Sequence, residues 1–226
     1  KRYQTWMITE QGLAPKTCNL RLTAIRSFLE YAAQEYLWLM PVYTDACTIA
    51  GVKTPNHAIE YFEPNEMTAL LAAPSGISKT DRRNQMMLIF LYDTAARVAE
   101  TRQVKVSNLH LDAGVPYVTL LGKGRKYRNI PLMEKTVLHL KRYLKDFHGS
   151  DPKTDLPLFY SKAHGMLHEL SSDTFEKMIK RYAAQCREDG YPMPDHVHCH
   201  MIRKTRAMDL YREGVPLPHI QQLLGH

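Results

Sequence analysis

The sequence predicts a mainly α fold carrying one small three-stranded antiparallel β-sheet, an α+β arrangement in two parts. Three observations predict it. Apolar residues recur at helical spacing along most of the chain. One stretch alone, Val106 to Met133, alternates apolar and polar residues and is broken at Asp112-Ala113-Gly114 and at Gly122-Lys123-Gly124, as an antiparallel meander requires. Between helical segments, "GVKTPNHAIEYFEP" is polar, aperiodic and punctuated by Gly51, Pro55 and Pro64, the composition of a linker. The expected parts are an all-helical one over residues 1–56 and a larger one over 57–226.

The elements follow in order. "TCNLRLTAIRSFLEYAAQEY" places Leu20, Leu22, Ile25, Phe28, Leu29 and Ala32 near helical spacing behind Pro15, with Arg21 and Arg26 on the more polar side. Pro64 suits the first position of a short helix, "PNEMTALLAA", which Pro74 ends. "RRNQMMLIFLYDTAA" predicts a more buried helix ahead of the meander. Helices resume in "EKTVLHLKRYLKDFH" and in "SSDTFEKMIKRYAAQCRED", the latter with Ser171 or Ser172 as N-cap. A further helix from His200 to Glu213 stops at Gly214 and Pro216, and "PHIQQLLG" forms the last.

With 226 residues and 44% hydrophobic content, the chain can bury a sizeable core. Lys and Arg number 30 against 23 Asp and Glu, and this net +7 favours a polyanionic partner without naming one. Between Gly122 and Asp146 stand Lys123, Arg125, Lys126, Arg128, Lys135, Lys141, Arg142 and Lys145, opposed by Glu134 and Asp146. That run is either a set of phosphate contacts or an ordinary solvated hairpin and helix face. The four cysteines include no C-x-x-C pair, so neither a disulfide framework nor a zinc ribbon is expected, and a reducing, cytoplasmic setting is. "MMLIFLY" is too short to span a bilayer, so no membrane partner is expected.

Several residues could carry chemistry. His200 and Arg203 are i and i+3 neighbours, so an imidazole and a guanidinium share a helix face and can hold one anionic oxygen between them, although either is also an ordinary helix residue. Arg97 lies beside predicted core, where it is either paired structurally with Glu100 or held rigidly to clamp a phosphate. Lys123 sits between two glycines that allow a tight turn and a close approach. His226 follows a helix and its terminating glycine. "HVHCH", His196 to His200, offers zinc-type ligands, but no second cluster stands at the spacing a closed site uses, and no metal is expected.

Taken in order, "TAARVAETRQVKVSNLHLD", "GKGRKYRNIPL" and "HMIRKTRAMDLYREGVPLPHIQQLLGH" resemble the motifs of the tyrosine recombinase (phage integrase) family, from about Tyr61 to His226. The resemblance implies the family's catalytic fold over 57–226, preceded by a helical core-binding domain that grips DNA. It implies that Arg97 and Arg203 hold the non-bridging oxygens of a scissile phosphate, that Lys123 protonates the leaving 5′ oxygen, that His200 assists proton transfer at the nucleophile and that His226 hydrogen-bonds the phosphate. Glu100 would brace Arg97, and Arg21, Arg26, Arg125, Lys126 and Arg128 would contact DNA. The implied reaction, site-specific recombination or integration through a 3′-phosphotyrosyl intermediate, conserves bond energy and needs no cofactor. The partners implied are double-stranded DNA and a homo-tetramer on paired sites.

The sequence departs from the family pattern in three places. Ala95-Ala96 replaces the usual Gly-Leu before Arg97, and Lys204 stands where many members carry His. The family's nucleophilic tyrosine comes shortly after the position of His226; the expectation is a chain cut short at both ends that binds DNA without cleaving it, and Tyr211 is expected to be a packing residue. Two alternatives share these residues: a non-catalytic DNA-binding accessory protein, and a type IB topoisomerase-like enzyme.

Overall fold

The computed structural model describes residues 1–55, 59–149 and 154–225, and of Lys123 and Ala163 the backbone alone. The chain divides into two compact units, Lys1–Ala58 and Ile59–His226.

The first unit holds α1 (Arg2–Thr9), α2 (Pro15–Glu35), a short 3-10 turn at Leu37–Leu39 and α3 (Met40–Thr48). Pro15 opens α2, where its missing N–H is not needed and its fixed φ suits the helix. Met7, Cys18, Leu22, Ala33 and Ala46 are buried. Leu20 and Phe28, expected on the apolar side of α2, are instead 69% and 67% exposed. Helical spacing identified the helix and Leu22 on its buried face, but Cys18 and Ala33, not Leu20 and Phe28, complete the packed stripe. The segment after α3 is pinned by Asn19, whose side-chain amide donates to the Val52 carbonyl at 2.8 Å and accepts from the Val52 N–H at 2.7 Å.

The second unit begins with α4 (Pro64–Ala72), whose start is held by the Glu66 carboxylate accepting from the Glu63 N–H at 2.8 Å. In α5 (Lys79–Thr94) the Ser78 hydroxyl caps the Asp81 N–H at 3.0 Å, and Met86, Met87, Leu88, Phe90 and Leu91 are buried. The helix stops at Thr94, two residues before the sequence pattern suggested, because Ala95 turns left-handed at φ +48°. Next come α6 (Val98–Gln103), β1 (Leu109–His110), β2 (Tyr117–Leu121) and β3 (Tyr127–Pro131). These strands form the expected antiparallel meander in the order β1-β2-β3, with Val118 opposite Ile130 and Leu121 opposite Tyr127. Val118, Leu120 and Ile130 turn into the core.

The remaining elements are α7 (Glu134–His148), β4 (Tyr160–Ala163), β5 (Met166–Glu169), α8 (Ser172–Glu188), α9 (Cys199–Arg212) and α10 (Leu217–Leu224). Ser171 caps α8. The β4–β5 hairpin adds a second sheet that the sequence reading did not anticipate. Every residue of β5 is exposed, so this strand carries no apolar alternation to reveal it. His164 and Gly165, at φ +49° and +80°, make the tight hairpin turn. The core gathers where α5 packs on α7 and α9, with Phe90 edge-on to Phe159 at 5.6 Å between ring centroids.

Candidate active site

Ala95 sets the site's geometry. Its left-handed φ reverses the chain directly after α5, and two residues later Arg97 stands at the N-cap of α6. Glu100, one turn into α6 and 5% exposed, accepts from the Arg97 backbone N–H at 2.8 Å and from Arg97 Nη1 at 3.0 Å. The same carboxylate takes a bidentate pair from Arg128 on β3, Nη1 at 2.9 Å and Nη2 at 2.8 Å. Arg203, 3% exposed on the core side of α9, donates from Nη1 to the Ala95 carbonyl at 2.7 Å.

The end of α10 closes the cluster. The last carbonyls of a helix have no partner within it. Here the Leu223 carbonyl accepts from Arg128 Nε at 3.0 Å and the Leu224 carbonyl from Arg203 Nη2 at 2.5 Å. Two guanidinium groups thus cap the negative end of the α10 dipole, and Gly225 leaves the helix left-handed at φ +71°.

Two guanidinium groups therefore bond the Glu100 carboxylate and a third, that of Arg203, lies close enough to feel its charge, a local excess of two positive charges. The consequences appear in the ionisation of each group. Burial opposes the charge on Glu100, yet the Arg128 hydrogen bonds and the Arg97 N–H outweigh it and hold the carboxyl at about 2. Burial, and then the charge of Arg97, brings Arg203 down to about 10. His200, one turn before Arg203, lies below its ordinary value through partial burial, then through Arg203, Lys204, His198 and Arg97. The imidazole beside these arginines therefore favours its neutral form at pH 7. Arg97 keeps about a third of its side chain exposed and commits one of five N–H donors to Glu100, so it can meet a ligand from solvent.

The structure brings Arg97, Glu100, Arg128, His200 and Arg203 together. Lys123 lies in the turn between β2 and β3, where Gly122 N–H closes onto the Lys126 carbonyl at 2.8 Å; its side chain is outside the described residues. His226 is outside them as well. Arg125 and Lys126 are exposed on the same turn. In the first unit Arg21 is exposed, whereas Arg26 donates to the carbonyls of Ala46 at 3.0 Å, Cys47 at 3.5 Å and Ile49. Arg26 is therefore a cap for the end of α3, which corrects the expectation of a free DNA-facing arginine.

Arg128 needs the same correction, since its side chain is 13% exposed and all three of its nitrogens point inward. A signal for this was present: on a strand, Arg128 is in phase with the buried Ile130, while Tyr127, Asn129 and Pro131 face out. Tyr211, expected to pack, is 57% exposed, because it falls outside the buried stripe of α9. Among the described residues no group of three or more His, Cys, Asp or Glu side chains could hold a metal ion, and burial pushes the Cys199 thiol up, away from the thiolate a metal needs. No helix of the described residues is long and apolar enough to cross a membrane.

Comparison with known proteins yields a consistent set. Residues 60–226 match the phage integrase family. The chain is 30% identical over 218 residues to a Sinorhizobium fredii protein named as an integrase/recombinase, covering 96% of this chain and 63% of that protein, less than two thirds of its length. It is also 30% identical over 223 residues to tyrosine recombinase XerD of Halalkalibacterium halodurans, covering 97% and 70% of the two chains. Among solved structures, the Tn1549 transposon integrase in complex with circular intermediate DNA superposes with a TM-score of 0.72 at 19% identity, covering 99% of this chain and 76% of that one. XerA recombinase superposes at 0.62 with 24% identity, covering 100% and 72%. Both structures share the fold.

Proposed function

Since the chain belongs to the phage integrase family of tyrosine recombinases, we propose that its second unit binds a phosphodiester of duplex DNA in the Arg97–Arg203 pocket and serves site-specific strand cleavage and rejoining. The observation that carries this reading is the local excess of two positive charges, three guanidiniums against the single Glu100 carboxylate, with Arg128 and Arg203 largely buried. An uncompensated buried charge is costly, and an anionic ligand offsets it.

In the reaction, a tyrosine hydroxyl attacks phosphorus, a P–O bond to tyrosine forms, and the P–O5′ bond breaks. Arg97 and Arg203 hold the two non-bridging oxygens, where the transition state gathers extra negative charge. Their fixed partners, Glu100 for one and the Ala95 and Leu224 carbonyls for the other, support preorganisation, because the donors need not reorient as that charge develops. Neutral His200 accepts the tyrosine proton, and Lys123 gives a proton to O5′. His226 adds a hydrogen bond to the phosphate. The products are a 3′-phosphotyrosyl link and a free 5′ hydroxyl, which attacks the partner strand in the reverse sense. Tyr211 is not assigned as the nucleophile: it lies eight residues beyond Arg203, about 12 Å along the axis of α9.

Arg125 and Lys126 contact the DNA backbone beside the pocket, and the first unit, with Arg21, is a core-binding domain. The working assembly is a homo-tetramer on paired sites. Two measurements test the proposal. Affinity for duplex DNA falls linearly on a log–log plot against salt, with a slope near −0.9 for each phosphate neutralised. The whole protein also leaves a covalent adduct on a nicked suicide substrate. Salt-independent binding, or none, removes the DNA reading; binding without an adduct leaves the accessory-protein reading in its place.

A further inference from the structure

We infer that Arg128 is a positioning residue, which shares the charge of Glu100 so that Arg97 stays available to a phosphate, and which ties the β2–β3 turn and the end of α10 to that pair. The inference rests on the phosphodiester pocket proposed above. It concerns how the pocket is kept open.

The first ground is geometric. Arg128 gives two hydrogen bonds to Glu100, at 2.9 and 2.8 Å, and its remaining nitrogen goes to the Leu223 carbonyl at 3.0 Å. One planar group thereby joins β3, α6 and α10. Lysine could not do so, because an ammonium has no fixed fork to span a carboxylate.

The second ground is the space around it. A Cβ built on Gly122 would lie 3.1 Å from Arg128 Nη1. One built on Gly225 would lie 3.1 Å from Nη1 and 3.3 Å from both Cζ and Nε. The guanidinium thus occupies a slot between the glycine that precedes Lys123 and the glycine that precedes His226. At Gly122 the backbone, φ −92° and ψ −172°, suits any residue, so what opposes a side chain there is the nearness of the guanidinium.

The third ground is charge. With Arg128 absent, Glu100 would face Arg97 alone, both carboxylate oxygens would draw on that guanidinium, and the pocket's excess would fall from two positive charges to one. Phosphate affinity would fall although Arg128 never touches phosphate. Removing Glu100 as well would restore the excess. Loss of a direct phosphate contact would instead leave the salt slope lowered in both variants.

The test compares wild type, Arg128→Gln and Glu100→Gln/Arg128→Gln on one DNA duplex across a salt series, with melting curves to confirm folding. The single variant is expected to bind about tenfold more weakly, and the double variant to return to within about threefold of wild type, with the wild-type salt slope. A double variant no tighter than the single one overturns the inference. If Arg128→Gln does not fold, Gly122→Ala carries the test, since it keeps every charge and crowds the guanidinium; weaker binding is expected, and unchanged binding overturns the inference. If the wild type binds no DNA, the phosphodiester reading fails, and amide exchange judges the tie separately. Exchange in Leu217–Leu224 is expected to be faster in Arg128→Gln and to stay fast in the double variant; unchanged exchange overturns the tie.

Discussion

Arg203 Nη1 donates to the carbonyl of Ala95 at 2.7 Å, so the guanidinium on α9 buttresses the left-handed turn that delivers Arg97. The same side chain reaches the Leu224 carbonyl at the end of α10. Arg203→Lys keeps the charge and cannot span both acceptors. It is expected to lose about 1–3 kcal/mol of stability, the range for a buried polar group left unpaired, along with DNA affinity. Urea unfolding and DNA titration of the variant measure the two losses.

Ala95 is fully buried at φ +48°, a conformation that disfavours side chains. Ala95→Val places a β-branched residue there and overfills the core, so a loss of more than about 2 kcal/mol is expected. Ala95→Gly relieves the backbone but gives up a buried methyl and gains unfolded-state entropy, so it should stay within about 1 kcal/mol of wild type. Denaturant midpoints of the pair decide whether backbone conformation governs this position.

Glu100 is a carboxylate held at about 2, below its ordinary 4.5. A depressed carboxyl stabilises the fold fully above its unfolded value, and the contribution disappears as pH falls through 4.5 towards 2. Glu100→Gln is expected to cost up to about 3 kcal/mol at neutral pH. Stability measured against pH should show the gap between variant and wild type narrowing across that window; a gap independent of pH would contradict the assignment.

His200 is depressed by partial burial and by Arg203, Lys204, His198 and Arg97. A bound phosphate favours the imidazolium, so binding takes up a proton and affinity rises as pH falls from neutrality. His200→Gln should flatten that rise. Titrations at pH 7.5 and 5.5, in two buffers of different ionisation enthalpy, count the proton.

Arg97 presents its guanidinium to solvent while Arg203 is sunk in the core. Arg97→Ala is therefore expected to lower the salt slope of DNA binding by about one while shifting the melting temperature less than Arg203→Ala does. Equal melting shifts would mean that Arg97 serves the fold more than the ligand.

The helices and the meander were legible in the sequence because apolar periodicity and turn residues mark them without tertiary information. The β4–β5 hairpin was not, since Met166, Leu167, His168 and Glu169 all face solvent and pattern reports only burial. Within the site, Arg97, Glu100, His200 and Arg203 were singled out by motifs that resemble the tyrosine recombinase family, spacing alone leaving each an ordinary structural reading. Arg26 and Arg128 were misjudged for a shared reason. Charge suggested a surface, whereas helix-end carbonyls and a buried carboxylate claimed both guanidiniums. Such partners lie about 20 to 95 residues away in sequence, beyond the reach of local spacing.

The like-charged arginines around Glu100 also bear on heat resistance. Burial, and then the charge of Arg97, brings Arg203 down to about 10, and a bound phosphate is expected to relieve the repulsion between the arginines. Ligand that binds only the folded state at a hundred times its dissociation constant adds about 2.7 kcal/mol. Short DNA duplexes, and even inorganic phosphate at high concentration, should therefore raise the melting temperature, and the end of α10 should gain the most protection, because its last two carbonyls hang on the arginines that the phosphate would calm.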